Sequence, residues 1–228
     1  MNISVVIPAL NEEEPIADVV RGCLATGLPQ EVIVVDNEST DHTAERAREA
    51  GARIVSAPRG YGRACAAGVA AIAHETDIVV FLDGDGSDCP ELMKRLVQPI
   101  IHGGQDFVIG SRTRGERERG SMNAQQVFAG YLAGWLIRPL YGVKYTDMCP
   151  FRAIRRDALE KLGMKETTYG WNLEMQMRAA RAGLRILEVP VNHRCRTGGE
   201  SKVSGTVRGT FVAGTRILAT LFRVAAGR

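Results

Sequence analysis

The chain of 228 residues has no hydrophobic run long enough to cross a bilayer, and only 6% of its residues are aromatic. A spanning helix needs about 20 consecutive apolar residues. The most apolar stretch, residues 127–137, is much shorter, and it is followed directly by Arg138 and Pro139. We therefore expect a protein that does not cross a membrane, although it could lie on one.

Paired cysteines are also lacking. The chain has five scattered cysteines and no CxxC spacing, which argues against a zinc site and against a disulfide framework. No signal peptide precedes the first apolar segment. These features predict a reducing, cytoplasmic environment in which the cysteines serve as small core residues.

The charge is small but uneven. The net charge is +3, whereas residues 185–228 alone hold eight Lys and Arg against two acids, a local balance of +6. A basic end of this kind predicts a partner that contains phosphate, either a ligand or a membrane surface. We expect no nucleic-acid partner.

Short β-branched runs alternate with helical patterns over the first 110 residues. The runs lie at residues 3–7, 31–35, 52–55, 78–82 and 107–109, and the helical patterns at 13–25, 40–50, 62–74 and 90–101. Nearly continuous apolar strands are typical of a sheet that is covered on both faces. The alternation predicts an α/β fold with a doubly wound, mostly parallel sheet, which we interpret as one domain over residues 1–228.

The second half follows a different pattern. We expect a long amphipathic segment at residues 122–141, a short strand at 151–154 and a helix at 169–182. An extended pair at 185–189 and 191–196 and an amphipathic terminal helix at about 207–225 follow. The apolar side chains of residues 122–141 are predicted to belong to the core.

Polar clusters follow three of the predicted strands, at residues 8–12, 36–41 and 83–85. Ligands of open α/β sheets bind beyond the carboxyl ends of the strands. Asp83 and Asp85 flank Gly84, so both carboxylates can turn toward one hard cation, Mg²⁺ or Mn²⁺, that is also held by diphosphate oxygens. The alternative is an acidic turn that caps the next helix, with Asp88 as its N-cap residue.

These motifs, in this order, resemble those of the family 2 glycosyltransferases, in particular the dolichyl- or polyprenyl-phosphate mannose and glucose synthases. The resemblance extends over residues 3–205. The motifs that carry it lie at residues 5–12, 34–41, 81–87, 110–112, 146–155, 174–175 and 196–202. It implies a GT-A (Rossmann-like) fold, with a nucleotide-sugar half at residues 1–110 and an acceptor-side half at 111–228.

The resemblance also implies a UDP- or GDP-hexose donor and assigns roles to individual residues. The residues expected against the nucleoside and its base are Pro8, Leu10, Glu12, Val34 and Asp36. Those expected to hold the ribose, the diphosphate and a Mg²⁺ or Mn²⁺ ion are Asp83, Gly84, Asp85 and Ser87. The cations expected to bind phosphate groups are Arg112, Arg196 and Lys202, and cationic groups of this kind stabilise a departing diphosphate.

Asp147 and Glu174 are the remaining candidate catalytic carboxylates. A hydroxyl acceptor would need one of them as general base, whereas a phosphate acceptor is already anionic near neutral pH. A structural role for either acid is equally open. The glycine-rich residues 59–68 could present backbone N–H groups to phosphate, or could allow close packing instead.

The resulting hypothesis is an inverting, metal-dependent transfer of a hexose to a polyprenyl phosphate. The arginine-rich residues 112–119 and the basic terminal helix favour peripheral contact with the cytosolic face of a membrane. The alternatives are a soluble hydroxyl acceptor, a nucleotidylyltransferase, and a non-catalytic subunit of a membrane complex.

Overall fold

Seven strands form one sheet in the computed structural model, which describes residues 1–198 and residue 223. The strands are β1 (Asn2–Ala9), β2 (Glu31–Asp36), β3 (Arg53–Ser56), β4 (Thr76–Phe81), β5 (Phe107–Ser111), β6 (Arg152–Arg155) and β7 (Ile186–Pro190). All five strands predicted in the first 110 residues are present. The predicted short strand at 151–154 corresponds to β6, and the segment at 185–189 to β7.

The strand order is β3-β2-β1-β4-β6-β5-β7. All neighbouring pairs are parallel except those of β6, which runs antiparallel to both β4 and β5. The mostly parallel, Rossmann-like sheet is thus confirmed. The carboxyl ends of β1, β2, β3 and β4 share one edge, which brings the loops that follow them together.

Seven α-helices are described: α1 (Ile16–Ala25), α2 (Thr43–Glu49), α3 (Tyr61–Ala71), α4 (Met93–Ile101), α5 (Ala124–Tyr141), α6 (Arg156–Leu162) and α7 (Trp171–Arg181). None of the described helices is long and apolar enough to cross a membrane. Four cysteines are buried as predicted, whereas Cys195 is exposed.

The core lies on both faces of the central strands. Val5, Val6 and Ile7 of β1 are completely buried, as are Val79 and Val80 of β4. Because side chains alternate between the faces of a strand, consecutive buried residues require cover on both sides. This explains why these strands contain unbroken apolar runs.

Several predicted details were wrong. Residues 156–162 form α6, which the sequence analysis did not predict, and the segment at 191–196 forms no named strand, only isolated bridges at His193. Much of the apolar surface of α5 is exposed and does not belong to the core. The predicted amphipathic terminal helix at about 207–225 lies outside the described residues except for Arg223.

A glycine in α3 sets how closely that helix approaches the sheet. A Cβ atom at Gly68 would lie 2.3 Å from Val6 Cγ1 and 3.0 Å from Val35 Cγ2. Close helix–sheet packing, one of the two interpretations of residues 59–68, is therefore present at Gly68.

We expect Gly68→Ala to lower the free energy of unfolding by about 1–3 kcal/mol, because the added methyl group overpacks the core. The change would be measured by urea unfolding followed by circular dichroism. The control is Ala70→Ser, an exposed position of the same helix, where we expect a loss within about 0.5 kcal/mol. Equal losses in the two variants would show that the contact with Val6 is not restrictive.

Candidate active site

Three carboxylates gather in the turn that follows β4. The backbone N–H of Asp83 donates to Asp88 Oδ2 at 3.0 Å, and the Tyr61 hydroxyl donates to Asp83 Oδ1 at 3.0 Å. Gly86, with φ of +76°, reverses the chain between Asp85 and Asp88. The turn therefore curls back on itself, so that the Asp88 side chain reaches the backbone of Asp83.

The charges of this turn are poorly compensated within the protein. Burial, followed by repulsion from Asp85, raises the pKa of Asp83 to about 7. Burial, followed by repulsion from Asp83, raises the pKa of Asp88 to about 8. The folded chain thus binds more protons than the unfolded chain between about pH 4 and these values, so the carboxylates reduce stability as pH rises through that window.

Arg196 places a positive charge at Asp85. Its Nη2 atom lies 2.6 Å from Asp85 Oδ2. The other carboxylate oxygen of Asp85 accepts from Ser87 N at 2.9 Å and from Ser87 Oγ at 2.5 Å. The predicted metal residues Asp85 and Ser87 are therefore joined, and a guanidinium lies at the carboxylate predicted to hold a cation.

The segment that carries Arg196 lies along the acidic turn. Arg194 N donates to Ser87 O at 2.9 Å, and Thr197 N donates to Asp85 O at 3.4 Å. In place of the extended strand predicted at residues 191–196, this segment makes two isolated bridges at His193, one of which pairs His193 with Asp88 in antiparallel fashion. This arrangement brings residues more than 100 positions apart into one site.

Asp88 and His193 are site residues that the sequence analysis missed. Both are buried, their Oδ1 and Nδ1 atoms lie 3.9 Å apart, and neither atom has a hydrogen-bond partner among the described residues. Burial, with a contribution from the charge of Arg112, lowers the pKa of His193 to about 4, so its ring is neutral near pH 7. Asp88 is not the predicted N-cap residue, since the following 3-10 turn begins at Pro90 without a side-chain cap.

Arg112 donates three hydrogen bonds to the carboxylate of Asp147. Asp147 Oδ2 accepts from Arg112 N at 2.9 Å and from Nε at 2.8 Å, and Oδ1 accepts from Nη2 at 2.8 Å. Burial alone would raise the pKa of Asp147, but the hydrogen bonds and charge of Arg112 outweigh burial and lower it. In this arrangement Asp147 orients a phosphate-binding candidate.

Glu174 is completely buried and has its hydrogen bonds within α7 and the segment before it. Its Oε2 accepts from Lys165 N at 3.0 Å and from Glu166 N at 2.6 Å, while Oε1 accepts from Arg178 Nε at 2.9 Å. Glu174 therefore fixes the turn at residues 165–166 to α7.

The loops after β1 and β2 are tied to each other. Asn11 N donates to Ser39 Oγ at 3.0 Å, Thr40 N to Asn11 Oδ1 at 2.8 Å, and Glu12 N to Thr43 Oγ1 at 2.8 Å. These bonds place the loop of Leu10 and Glu12 beside the loop that follows Asp36, while Pro8 is a buried residue of β1. The predicted nucleoside residues thus share one end of the sheet.

Two predicted contact residues are placed differently from the expectation. Val34 is completely buried in β2, in register with Ile7 and Ile54, and has no surface to offer a base. A Cβ atom at Gly84 would lie 3.2 Å from Ile16 Cδ1 and 3.4 Å from Ala9 Cβ. That face of Gly84 therefore packs against the protein.

The glycines at the start of α3 likewise permit close packing. A Cβ atom at Gly62 would lie 2.2 Å from Glu166 O, and one at Gly60 would lie 2.6 Å from Thr167 O. The helix start is thereby held against residues 166–167, with Tyr61 directed at Asp83. Tyr61 belongs to the glycine-rich motif at residues 59–68, where roles were predicted only for the glycines.

The remaining predicted site residue, Lys202, lies outside the described residues. Arg196, six positions earlier, is the last predicted site residue in the described part of the chain.

A model of the family described as glycosyl transferase family 2 matches residues 4–163. The chain belongs to glycosyltransferase family 2. An uncharacterized glycosyltransferase of Mycobacterium tuberculosis is 39% identical over 218 residues, covering 92% of this chain and 94% of that protein. The undecaprenyl-phosphate mannosyltransferase of Micrococcus luteus is 31% identical over 225 residues, covering 93% and 91%.

Solved structures confirm the GT-A fold of this glycosyltransferase. Glucosyl-3-phosphoglycerate synthase of Mycobacterium tuberculosis, in complex with Mn²⁺, UDP-glucose and phosphoglyceric acid, superposes with a TM-score of 0.78 at 28% identity. The match covers 99% of this chain and 80% of that one. The relatives named here thus include both a polyprenyl-phosphate enzyme and an enzyme crystallised with a soluble acceptor.

We expect Asp147→Asn to destabilise this glycosyltransferase by about 3–5 kcal/mol, because it leaves the largely buried Arg112 charge without its partner. Asp157→Asn is the matched control, since it breaks a carboxylate–arginine pair at the surface and should cost at most about 1 kcal/mol. Urea unfolding at pH 7 measures both. Similar losses for the two variants would contradict the role assigned to Asp147.

Proposed function

We propose that this glycosyltransferase transfers a hexose from a UDP- or GDP-hexose to a polyprenyl phosphate, with inversion at the anomeric carbon. The observation that carries the donor half is the acidic turn of Asp83, Asp85 and Asp88, which lies against Arg196 at the carboxyl edge of the sheet. A diphosphate with a divalent cation is a ligand that would match both charges of such a site.

The residues of the turn fit a divalent cation. Asp83 is partly exposed and Asp88 is buried, and for both the pKa is raised by burial and by the neighbouring carboxylate. Asp88 Oδ1 lacks a hydrogen-bond partner among the described residues. We infer that Asp83, Asp85 and Ser87 would hold Mg²⁺ or Mn²⁺. When bound, the ion would neutralise charge on the diphosphate. The Mn²⁺ and UDP-glucose in the related synthase support this inference.

The described residues do not bring three metal-ligating His, Cys, Asp or Glu side chains together. A cation at Asp85 would therefore complete its coordination with diphosphate oxygens and water, as Mg²⁺ commonly does. Arg196 would then exchange its contact with Asp85 for one with the diphosphate, and we assign Lys202 the same ligand.

For the nucleoside we retain Leu10, Glu12 and Asp36, which lie at or just after the carboxyl ends of β1 and β2. Pro8 is buried within β1 and supports this pocket from behind. Asp36 is partly exposed and accepts a single local hydrogen bond, from Ser39 N at 3.2 Å, through Oδ1. Its carboxylate is accordingly able to accept from a base. We assign Val34 and Gly84 to the packing behind this pocket.

The acceptor half of the proposal rests on the carboxylates. A hydroxyl nucleophile would require a general base, but Asp147 holds Arg112, and Glu174 holds residues 165–166 and Arg178. A phosphate oxygen is anionic near neutrality and attacks without a base. It would bond to the anomeric carbon while the bond from that carbon to the donor diphosphate breaks, and the nucleoside diphosphate leaves with the electron pair.

The name of the Micrococcus luteus relative supports a polyprenyl phosphate acceptor. The soluble acceptor of the solved relative, phosphoglyceric acid, also carries a phosphate, and it stands as the second candidate class. A lipid acceptor implies a protein on the membrane surface, which we place at its cytosolic face, where nucleotide sugars would be the donors.

The test is transfer of radiolabelled hexose from UDP- and GDP-sugars to detergent-dispersed polyprenyl phosphate, with 3-phosphoglycerate as the parallel acceptor. We expect transfer to the lipid that needs Mg²⁺ or Mn²⁺ and falls at least about 100-fold in Asp85→Asn. Asp77→Asn, an exposed acid on β4, is the control and should retain activity.

Transfer to 3-phosphoglycerate alone would replace the lipid acceptor with the soluble one. Undiminished activity in excess chelator, or in Asp85→Asn, would reject the donor site itself.

A further inference from the structure

Helix α5 exposes a stripe of large apolar side chains. The exposed fractions are 67% for Phe128, 49% for Tyr131 and 71% for Trp135, with Leu132 and Leu140 also exposed. Residues three and four positions apart share a helix face. Five of the nine large apolar residues exposed in the described part of the chain belong to this helix, so the stripe is a concentrated surface feature.

The opposite face of α5 consists mainly of small residues that pack closely against the rest of the protein. Gly130, Ala133, Gly134 and Ile137 are buried, and a Cβ atom at Gly134 would lie 2.0 Å from Tyr145 O. The helix therefore cannot rotate to turn its large side chains inward, because the backbone at Tyr145 already fills the space. The exposure of the aromatic stripe follows from the packing of the helix.

Both ends of α5 are well defined. Asn123 and Gln126 form a reciprocal capping box at the start, and Gly142 ends the helix in the left-handed conformation. The stripe is accordingly presented by a helix of 18 residues with defined ends, which contains Pro139 in its last turn.

The charged residues of α5 and of the segments directly beside it, residues 119–146, are all basic. The sequence contains no Asp or Glu between Glu118 and Asp147, whereas Arg119, Arg138 and Lys144 are exposed. A two-fold contact between two copies of this face would bring like charges together. An anionic lipid surface instead complements the cations and accepts the aromatic side chains, since Trp and Tyr favour the membrane interface.

The inner face of α5 rests on the active site. A Cβ atom at Gly130 would lie 3.3 Å from the Cα atom of Asp147, which holds Arg112. A helix with its side chains is about 10 Å across. A membrane on the outer face would therefore present its head groups about one helix diameter from Arg112.

We propose that α5 is a monolayer-docking helix, which lies in the head-group plane of an anionic membrane and presents the phosphate of a lipid acceptor to Arg112. The docking stands on the surface of α5, while the delivery of the acceptor rests on the proposed function. The membrane contact expected from residues 112–119 and from the terminal helix is thereby extended to α5.

The two tryptophans of the chain give a direct readout. Trp135 is 71% exposed, whereas Trp171 is 3% exposed, so acrylamide should quench mainly Trp135. With vesicles of phosphatidylglycerol and phosphatidylcholine at low salt, we expect a blue-shifted emission and loss of quenching. Pure phosphatidylcholine vesicles should restore quenching, because they offer no negative charge to the cations beside the stripe. High salt should do the same, because it screens the attraction between those cations and the anionic lipid.

The variant Phe128→Ser/Trp135→Ser should lower the vesicle partition coefficient at least about tenfold in sedimentation, since two interfacial aromatic side chains are removed. Tyr169→Ser, which alters an exposed aromatic residue outside α5, should co-sediment like the wild type. The three substituted residues are all exposed. Melting temperatures equal to that of the wild type would verify that both variants fold.

Unchanged quenching with anionic vesicles, or equal sedimentation of the α5 variant and the wild type, would overturn the proposal. Dimerisation that is lost in the α5 variant, without vesicle binding, would assign the stripe to a second copy instead. Docking without transfer to polyprenyl phosphate would leave the helix assignment intact and reject the acceptor. Transfer to detergent-dispersed polyprenyl phosphate without vesicle docking would support the acceptor and reject the assignment of α5.

Discussion

Carboxylates brought together at the end of a central strand are the feature around which the site is arranged. Asp83, Asp85 and Asp88 lie within one turn, where burial and mutual repulsion raise the pKa of Asp83 and Asp88. Such an arrangement costs stability unless a cation is supplied. The buried apolar residues of β1 and β4, among them Val5, Val6, Val79 and Val80, provide the rigid frame that holds the turn in this conformation.

The surrounding residues position the cationic side of the site. Asp147 directs Arg112, and the segment from His193 to Thr197 brings Arg196 onto Asp85. Glu174 acts one step farther away, because it fixes residues 165–166, against which the start of α3 and hence Tyr61 are packed. Asp147 and Glu174, which the motifs suggested as catalytic acids, therefore position other residues instead. This arrangement suits a phosphate acceptor, which needs no general base.

Much of the fold followed from local patterns, because buried parallel strands have distinctive β-branched runs. The direction of β6 and the existence of α6 did not, since they depend on which strands meet in space. The same limit applied to α5: its apolar residues indicated a core, and only the small residues on its other face, seated against Tyr145 and Asp147, turn the large ones outward. Asp83 and Asp85 could be identified from their motif, whereas Asp88 and His193 become site residues only through the bridge between them.

The central claim is that a divalent cation is the counter-charge of the acidic turn, and thermal unfolding with Mn²⁺ tests this claim most directly. A ligand at about 100 times its Kd adds about 2.7 kcal/mol, which corresponds to roughly 5–10 °C in Tm for a chain of this size. We expect this rise for the wild type and for Asp157→Asn, and little or none for Asp85→Asn. An unchanged wild-type Tm, or an equal rise in Asp85→Asn, would contradict the account.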